Sequence, residues 1–141
     1  MPPEPNIRFT VAARFSELRP ASENVRRFLS NQSVDCSVIF AIETVLEELA
    51  TNAIKYGFRN GRPGSIDFEA SATGERVEFV IEDDGDPFDP TMAPDPKVDR
   101  PLEDMPIGGL GIHLVRSVTD GFEYQRVSNR NRMRVWIDCR K

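Results

Sequence analysis

Apolar residues recur at intervals of three and four between Val38 and Tyr56, where Ile39, Ile42, Val45, Leu46, Leu49, Ala53 and Ile54 share one side. That period predicts a long amphipathic helix with one face in a core, ended by Gly57 as a stop residue. Val25, Phe28 and Leu29 predict a shorter helix over 21–29, with Arg26 and Arg27 opposite and Ser22 as a possible cap. Ile112, Val115 and Val118 predict a third helix, stopping near Gly121. Elsewhere the period drops to two. Residues 7–13 read as a candidate edge strand, and 65–72 and 76–82 as a hairpin closed by Thr73-Gly74-Glu75. A second hairpin joins 122–127 to 133–139 through the polar turn Ser128-Asn129-Arg130-Asn131.

The order is strand, two helices, hairpin, helix, hairpin. Such grouping predicts an α+β sandwich with helices layered on one face of a mostly antiparallel sheet, since no alternating βαβ order is present. Between the first hairpin and the third helix, residues 83–106 are rich in proline and aspartate and lack apolar periodicity. A loop this long inside a compact domain is usually a functional lid or disordered. The 141 residues match one domain.

Composition narrows the function. A formal net charge of −5 argues against binding nucleic acid by phosphate neutralisation. Arg116, Arg126, Arg130, Arg132, Arg134, Arg140 and Lys141 make the C-terminal third locally basic, which reads most simply as a solvated face. Cys36 and Cys139 fit neither a metal pair nor a disulfide framework and are expected to be buried thiols. No apolar run spans a bilayer, and the N-terminus has no signal-peptide pattern, so the expectation is a cytoplasmic protein without a membrane partner.

Three patterns carry chemistry. Glu48 and Asn52 are four apart on the long helix and project from one face, a spacing suited to a general base beside a magnesium ligand. Glu47, next to Glu48, points about 100° away around the helix. In the run Glu82-Asp83-Asp84-Gly85-Asp86-Pro87, Asp83 sits at a strand end near a glycine that allows close backbone approach, where it could accept a hydrogen bond from an adenine amine. Gly108-Gly109-Leu110-Gly111 opens the third helix, and bare amides at a helix start suit phosphate. Singly, the three also fit a solvent-exposed helix face, an acidic turn and a flexible hinge.

Together and in this order they resemble the N, G1 and G2 boxes of the GHKL superfamily, along nearly the whole chain. The wording ELATNAIKYGF, DDGDPFDP and GGLGIHLVRSVTD looks most like the anti-sigma-factor serine kinases. The resemblance implies a Bergerat-type two-layer sandwich, ATP with Mg2+, and an ATP lid over about 86–107. It implies Glu48 as general base and Asn52 as magnesium ligand. It further implies Asp83 as the adenine-recognising aspartate, with Gly85 and Pro87 shaping its turn, and Gly108, Gly109, Leu110 and Gly111 at the phosphates. It also implies partners: a STAS-type antagonist phosphorylated on serine, a sequestered sigma factor, and a second copy in a homodimer.

The chain departs from the pattern at Ile107, where many members have glycine, and in lacking a basic residue just before the glycine run; Arg100 in the lid is the nearest substitute. Two other readings of the same fold are a nucleotide-gated binding module without phosphoryl transfer and a detached histidine-kinase catalytic domain. His113, the one histidine, is expected on a helix surface. Trp136 is expected in the core or on a sheet face. Lys55 and Tyr56 fall either at the nucleotide or on the surface.

Overall fold

The computed structural model describes residues 5–58, 61–92 and 109–139. Five strands form one sheet in the order β1-β2-β3-β5-β4: β1 is Asn6–Ala12, β2 Ser65–Ala72, β3 Arg76–Asp83, β4 Gly121–Val127 and β5 Arg130–Asp138. All four pairings are antiparallel. The edge position expected for the first strand is borne out. Helices α1 (Leu18–Asn31), α2 (Cys36–Gly57) and α3 (Gly109–Val118) complete the fold, with α2 packed between the other two.

Strict alternation on β2 and β3 builds the covered face. Ile66, Phe68, Ala70 and Ala72 face Val77, Phe79 and Ile81, while the residues between them point the other way. Phe68 and Phe79 stack at 6.0 Å between ring centroids, and Phe9 of β1 adds a tilted contact to Phe68 at 5.4 Å. Ile42, Val45 and Leu46 of α2, with Val25 and Leu29 of α1 and Ile112 and Val115 of α3, close the same core from above.

The open face of the sheet is polar and paired. Arg130 bonds Asp67 and Glu82, Arg132 bonds Glu82, and Arg134 bonds Glu78 and Glu123. Three arginines of the basic C-terminal third are therefore matched to carboxylates on β2, β3 and β4. Trp136 lies on this face, not in the core. The guanidinium carbons of Arg134 and Arg76 stand 4.7 and 5.8 Å from its ring centroid, and Gly121 opposite leaves room for the indole.

Three local expectations change. The second hairpin turns through two residues, not four: Ser128 and Asn129 both have positive φ, 53° and 63°. Such a turn matches the natural strand twist, so Arg130 and Asn131 become the start of β5. Gly57 does end α2, but not through a left-handed φ. A side-chain carbon there would make only ordinary contact, with Gly85 Cα at 3.4 Å. Cys36 is exposed rather than buried, because it begins α2 before the apolar stripe starts at Ile39, and Cys139 is half-buried at the end of β5; both are free thiols. No helix among the described residues is long and apolar enough to cross a membrane.

Candidate functional site

At one end of the covered face the core gives way to a narrow cleft between α2 and the ends of β3 and β5. Leu49, Ala53, Ile81 and Met133 supply apolar walls, and Asn52, Asp83 and Asn131 are its polar members. Those three are also the buried polar residues of the described chain, at 5%, 6% and 5% exposure. An apolar cleft with a few convergent polar groups is the form of a small-molecule site.

Alternation brings Asp83 here. It closes the inward series Val77, Phe79, Ile81, and pairs in register with Asn131 of β5. Its Oδ1 accepts from the Gly85 amide at 2.9 Å and from Asn131 Nδ2 at 3.0 Å. Burial pushes the carboxyl above its ordinary value; the bonds from Asn131 and Gly85 pull it back, Asp84 raises it further and Arg126 lowers it. A buried carboxylate with one oxygen tied down keeps the other as an acceptor for a ligand.

The turn after Asp83 is fixed to α2. The Asp86 amide donates to the Gly57 carbonyl at 2.7 Å, satisfying a helix-terminal acceptor. Arg62 donates to the Asp84 carbonyl at 3.1 Å. Gly85 is required by this approach: a side-chain carbon there would sit 2.8 Å from the Gly57 oxygen and 2.9 Å from its Cα. Pro87 is exposed and lies outside the cleft wall, which is made instead by Phe88 and Pro90. Tyr56 packs on Phe88 with ring centroids 5.2 Å apart, so it supports the wall, while Lys55 is exposed.

Asn52 presents its side chain to the same cleft, and its buried Nδ2 has no hydrogen-bond partner among the described residues. A buried amide left unmet is rare in folded proteins, and a water or a ligand acceptor in the cleft would complete its bonding. Glu48, one turn earlier, is half-buried and lines a separate hollow with Glu47, Thr44 and Leu114. Glu47 itself is exposed. The helix thus sends Asn52 into the cleft and Glu48 to its neighbour.

Gly109, Leu110 and Gly111 form the first turn of α3. Gly108, Ile107, Arg100 and lid positions 93–107 lie outside the described residues. His113 is exposed on α3. Sequence reasoning missed Asn131, which it assigned to a turn. The inward alternation Asn131, Met133, Val135, Ile137 shows once the turn is limited to Ser128 and Asn129.

Comparison with known proteins agrees with this geometry. The family model of the histidine kinase-like ATPase domain matches residues 11–137. The serine/threonine-protein kinase BtrW of Bordetella bronchiseptica is 32% identical over 87 residues, covering 62% of this chain and 61% of its own. The serine-protein kinase RsbW of Bacillus subtilis is 25% identical over 95 residues, covering 62% and 57%. The chain thus spans about three fifths of the curated relatives it matches. Among solved structures, the RsbU and RsbW domains of Rv1364c from Mycobacterium tuberculosis align over 99% of this chain and 34% of that one, with a TM-score of 0.69 and 17% identity. The mycobacterial sensor histidine kinase MprB aligns over 94% and 99%, with a TM-score of 0.51 and 18% identity. These two likenesses speak for the fold. With the family model matching residues 11–137, this chain belongs to the histidine kinase-like ATPase domain family.

Proposed function

We propose that this protein is an ATP-dependent serine-protein kinase of the anti-sigma-factor type, which phosphorylates a STAS-type antagonist and sequesters a sigma factor. The observation that carries the nucleotide half is the pairing, in one apolar cleft, of the Asp83 carboxylate with the unmet amide of Asn52. Asp83 Oδ2 would accept a hydrogen bond from the exocyclic amine of adenine, with Leu49, Ile81 and Met133 walling the base. Gly85 lets the turn that carries Asp83 close against the Gly57 backbone.

Asn52 offers an oxygen toward Mg2+, which when bound supplies charge neutralisation on the phosphates. Among the described residues no three potential carboxylate, histidine or cysteine ligands converge. Such an ion would take the rest of its shell from water and phosphate. Gly109, Leu110 and Gly111 of the first turn of α3, with Gly108 before them in sequence, would hold the phosphates with backbone amides. Glu48 accepts the proton of the attacking serine hydroxyl. Its half-buried place in the hollow beside Leu114 leaves it reachable by a protein substrate without opening the base cleft.

A second reading is a nucleotide-gated binding module. It is favoured by the cleft lining, which contains no lysine or arginine among the described residues, because phosphoryl transfer ordinarily calls for positive charge near the phosphates. Labelled ATP and the STAS antagonist separate the readings: acid-stable phosphoserine on the antagonist supports the kinase, whereas ATP binding without transfer supports the module. Glu48→Gln is expected to keep ATP affinity within about threefold while transfer falls by about a hundredfold or more. Transfer at the normal rate would remove Glu48 from the base role.

A further inference from the structure

Asn131 occupies a position that its neighbours over-determine. Its Nδ2 donates to Asp83 Oδ1 at 3.0 Å and to the Asp86 carbonyl at 2.9 Å. Its Oδ1 accepts from the Tyr124 hydroxyl at 2.5 Å, from Arg126 Nη1 at 3.1 Å and from the Phe88 amide at 3.2 Å. Both donors of the amide are therefore engaged, and its oxygen takes three bonds. Unlike Asn52, whose nitrogen has no partner among the described residues, Asn131 has no donor to offer a ligand.

Its clients are the parts that shape the cleft. Asp83 is the acceptor, Asp86 belongs to the turn seated on Gly57, and Phe88 is the wall supported by Tyr56. On the other side stand two residues of β4, Tyr124 and Arg126, and Arg126 also donates to the Gly85 carbonyl at 2.9 Å. We propose that Asn131 is the positioning residue of the base site: it occupies Oδ1 of Asp83 and ties the Asp83–Phe88 turn to β4 and β5, leaving Oδ2 as the single acceptor toward a purine amine. This rests on the reading of the cleft as an adenine site.

Asn131→Asp tests the role with little change in shape. The new carboxylate still accepts from Tyr124, Arg126 and Phe88, but it faces Asp83 with an oxygen where a donor stood. The charged groups around the pair are Asp84, Asp86 and Asp89 of the turn, Arg62 beside it and Arg126 of β4; Tyr124 is a further titratable neighbour, its hydroxyl held protonated by burial. Two carboxyls this close share one proton. At acid pH the shared proton restores the bond to Asp83, though not the one to the Asp86 carbonyl. As pH rises the proton leaves and the two charges repel, so the base site loses its shape.

The experiment is ADP binding by calorimetry to wild type and Asn131→Asp between pH 5.5 and 8.5, expressed as the ratio of dissociation constants at each pH so that the nucleotide's own ionisation cancels. The expected ratio is within about threefold at pH 5.5 and above about tenfold at pH 8.5. Carboxyl carbon NMR of the nucleotide-free variant should show a coupled titration absent from wild type. A ratio that stays constant with pH, or binding unchanged throughout, overturns the positioning role. Absence of ADP binding to wild type would instead overturn the adenine site itself. Should the variant unfold at the alkaline end, Asn131→Ala carries the test: at least tenfold weaker binding by a folded protein upholds the role, and binding within twofold of wild type overturns it.

Discussion

Glu82 and Asp83 are consecutive carboxylates on β3, and the strand sends them to opposite faces of one sheet. Glu82 lies on the open face between Arg130 and Arg132, at 3.3 and 3.1 Å, with about a quarter of its side chain exposed (27%). Asp83 lies on the covered face at 6% exposure, with an amide in place of a cation as its side-chain partner. On the open face a carboxylate is neutralised, screened by solvent and replaceable. On the covered face it is desolvated, with its Oδ1 held by a backbone N–H and an amide. In the proposed nucleotide site, that burial is what makes Asp83 an acceptor for a ligand.

Substitution of each carboxylate breaks the comparison most directly. Asp83→Asn keeps an acceptor for Gly85 and Asn131 but turns the second oxygen into a donor. ATP affinity should fall by about a hundredfold, the scale of one hydrogen bond to a charged group. The same variant should melt at an equal or higher temperature than wild type at pH 7.5, since it removes a buried charge. A large fall in melting temperature would mean that Asp83 is structural. Next in size, Gly85→Ala forces a carbon against the Gly57 backbone, and chemical denaturation should show about 1–3 kcal/mol lost together with weakened nucleotide binding. Smallest is Glu82→Gln, for which denaturation should register at most about 1 kcal/mol and ATP titration no change.

The acid dependence sharpens the same contrast. Because burial raises the Asp83 pKa above its unfolded value of 3.8, the folded state holds that proton more tightly. Its contribution to stability is therefore greatest below 3.8 and declines as pH rises toward the folded pKa. The melting-temperature difference, Asp83→Asn minus wild type, should accordingly grow from pH 4 to pH 7. A difference independent of pH would show that Asp83 carries no desolvation cost. ATP affinity of wild type should move the other way, weakening as acid protonates the acceptor.

Much of the fold was legible because the two periods are clean. The three-and-four spacing of α2 and the alternation of β2 and β3 are enough to name the inward residues, and Asp83 falls on the inward series by counting from Phe79. Asn131 was not legible in the same way. Ser128-Asn129-Arg130-Asn131 is polar throughout, and only the positive φ of the first two residues decides that the turn has two members. That choice sets the register of β5 and puts Asn131 opposite Asp83. Pairings between strands distant in sequence, such as β3 with β5, leave no local trace. The burial of Cys36 failed as an expectation because thiol chemistry was judged without its place at a helix start.

Whether Asp83 reads the base is decided most directly by the choice between purines. Calorimetric titration of the wild-type protein with ATP and with GTP, each with magnesium, should give saturable binding of ATP and at least about tenfold weaker binding of GTP, whose carbonyl oxygen would face the Asp83 carboxylate where adenine presents an amine. Equal affinity for the two nucleotides, or no binding of ATP, would contradict an adenine site built on Asp83.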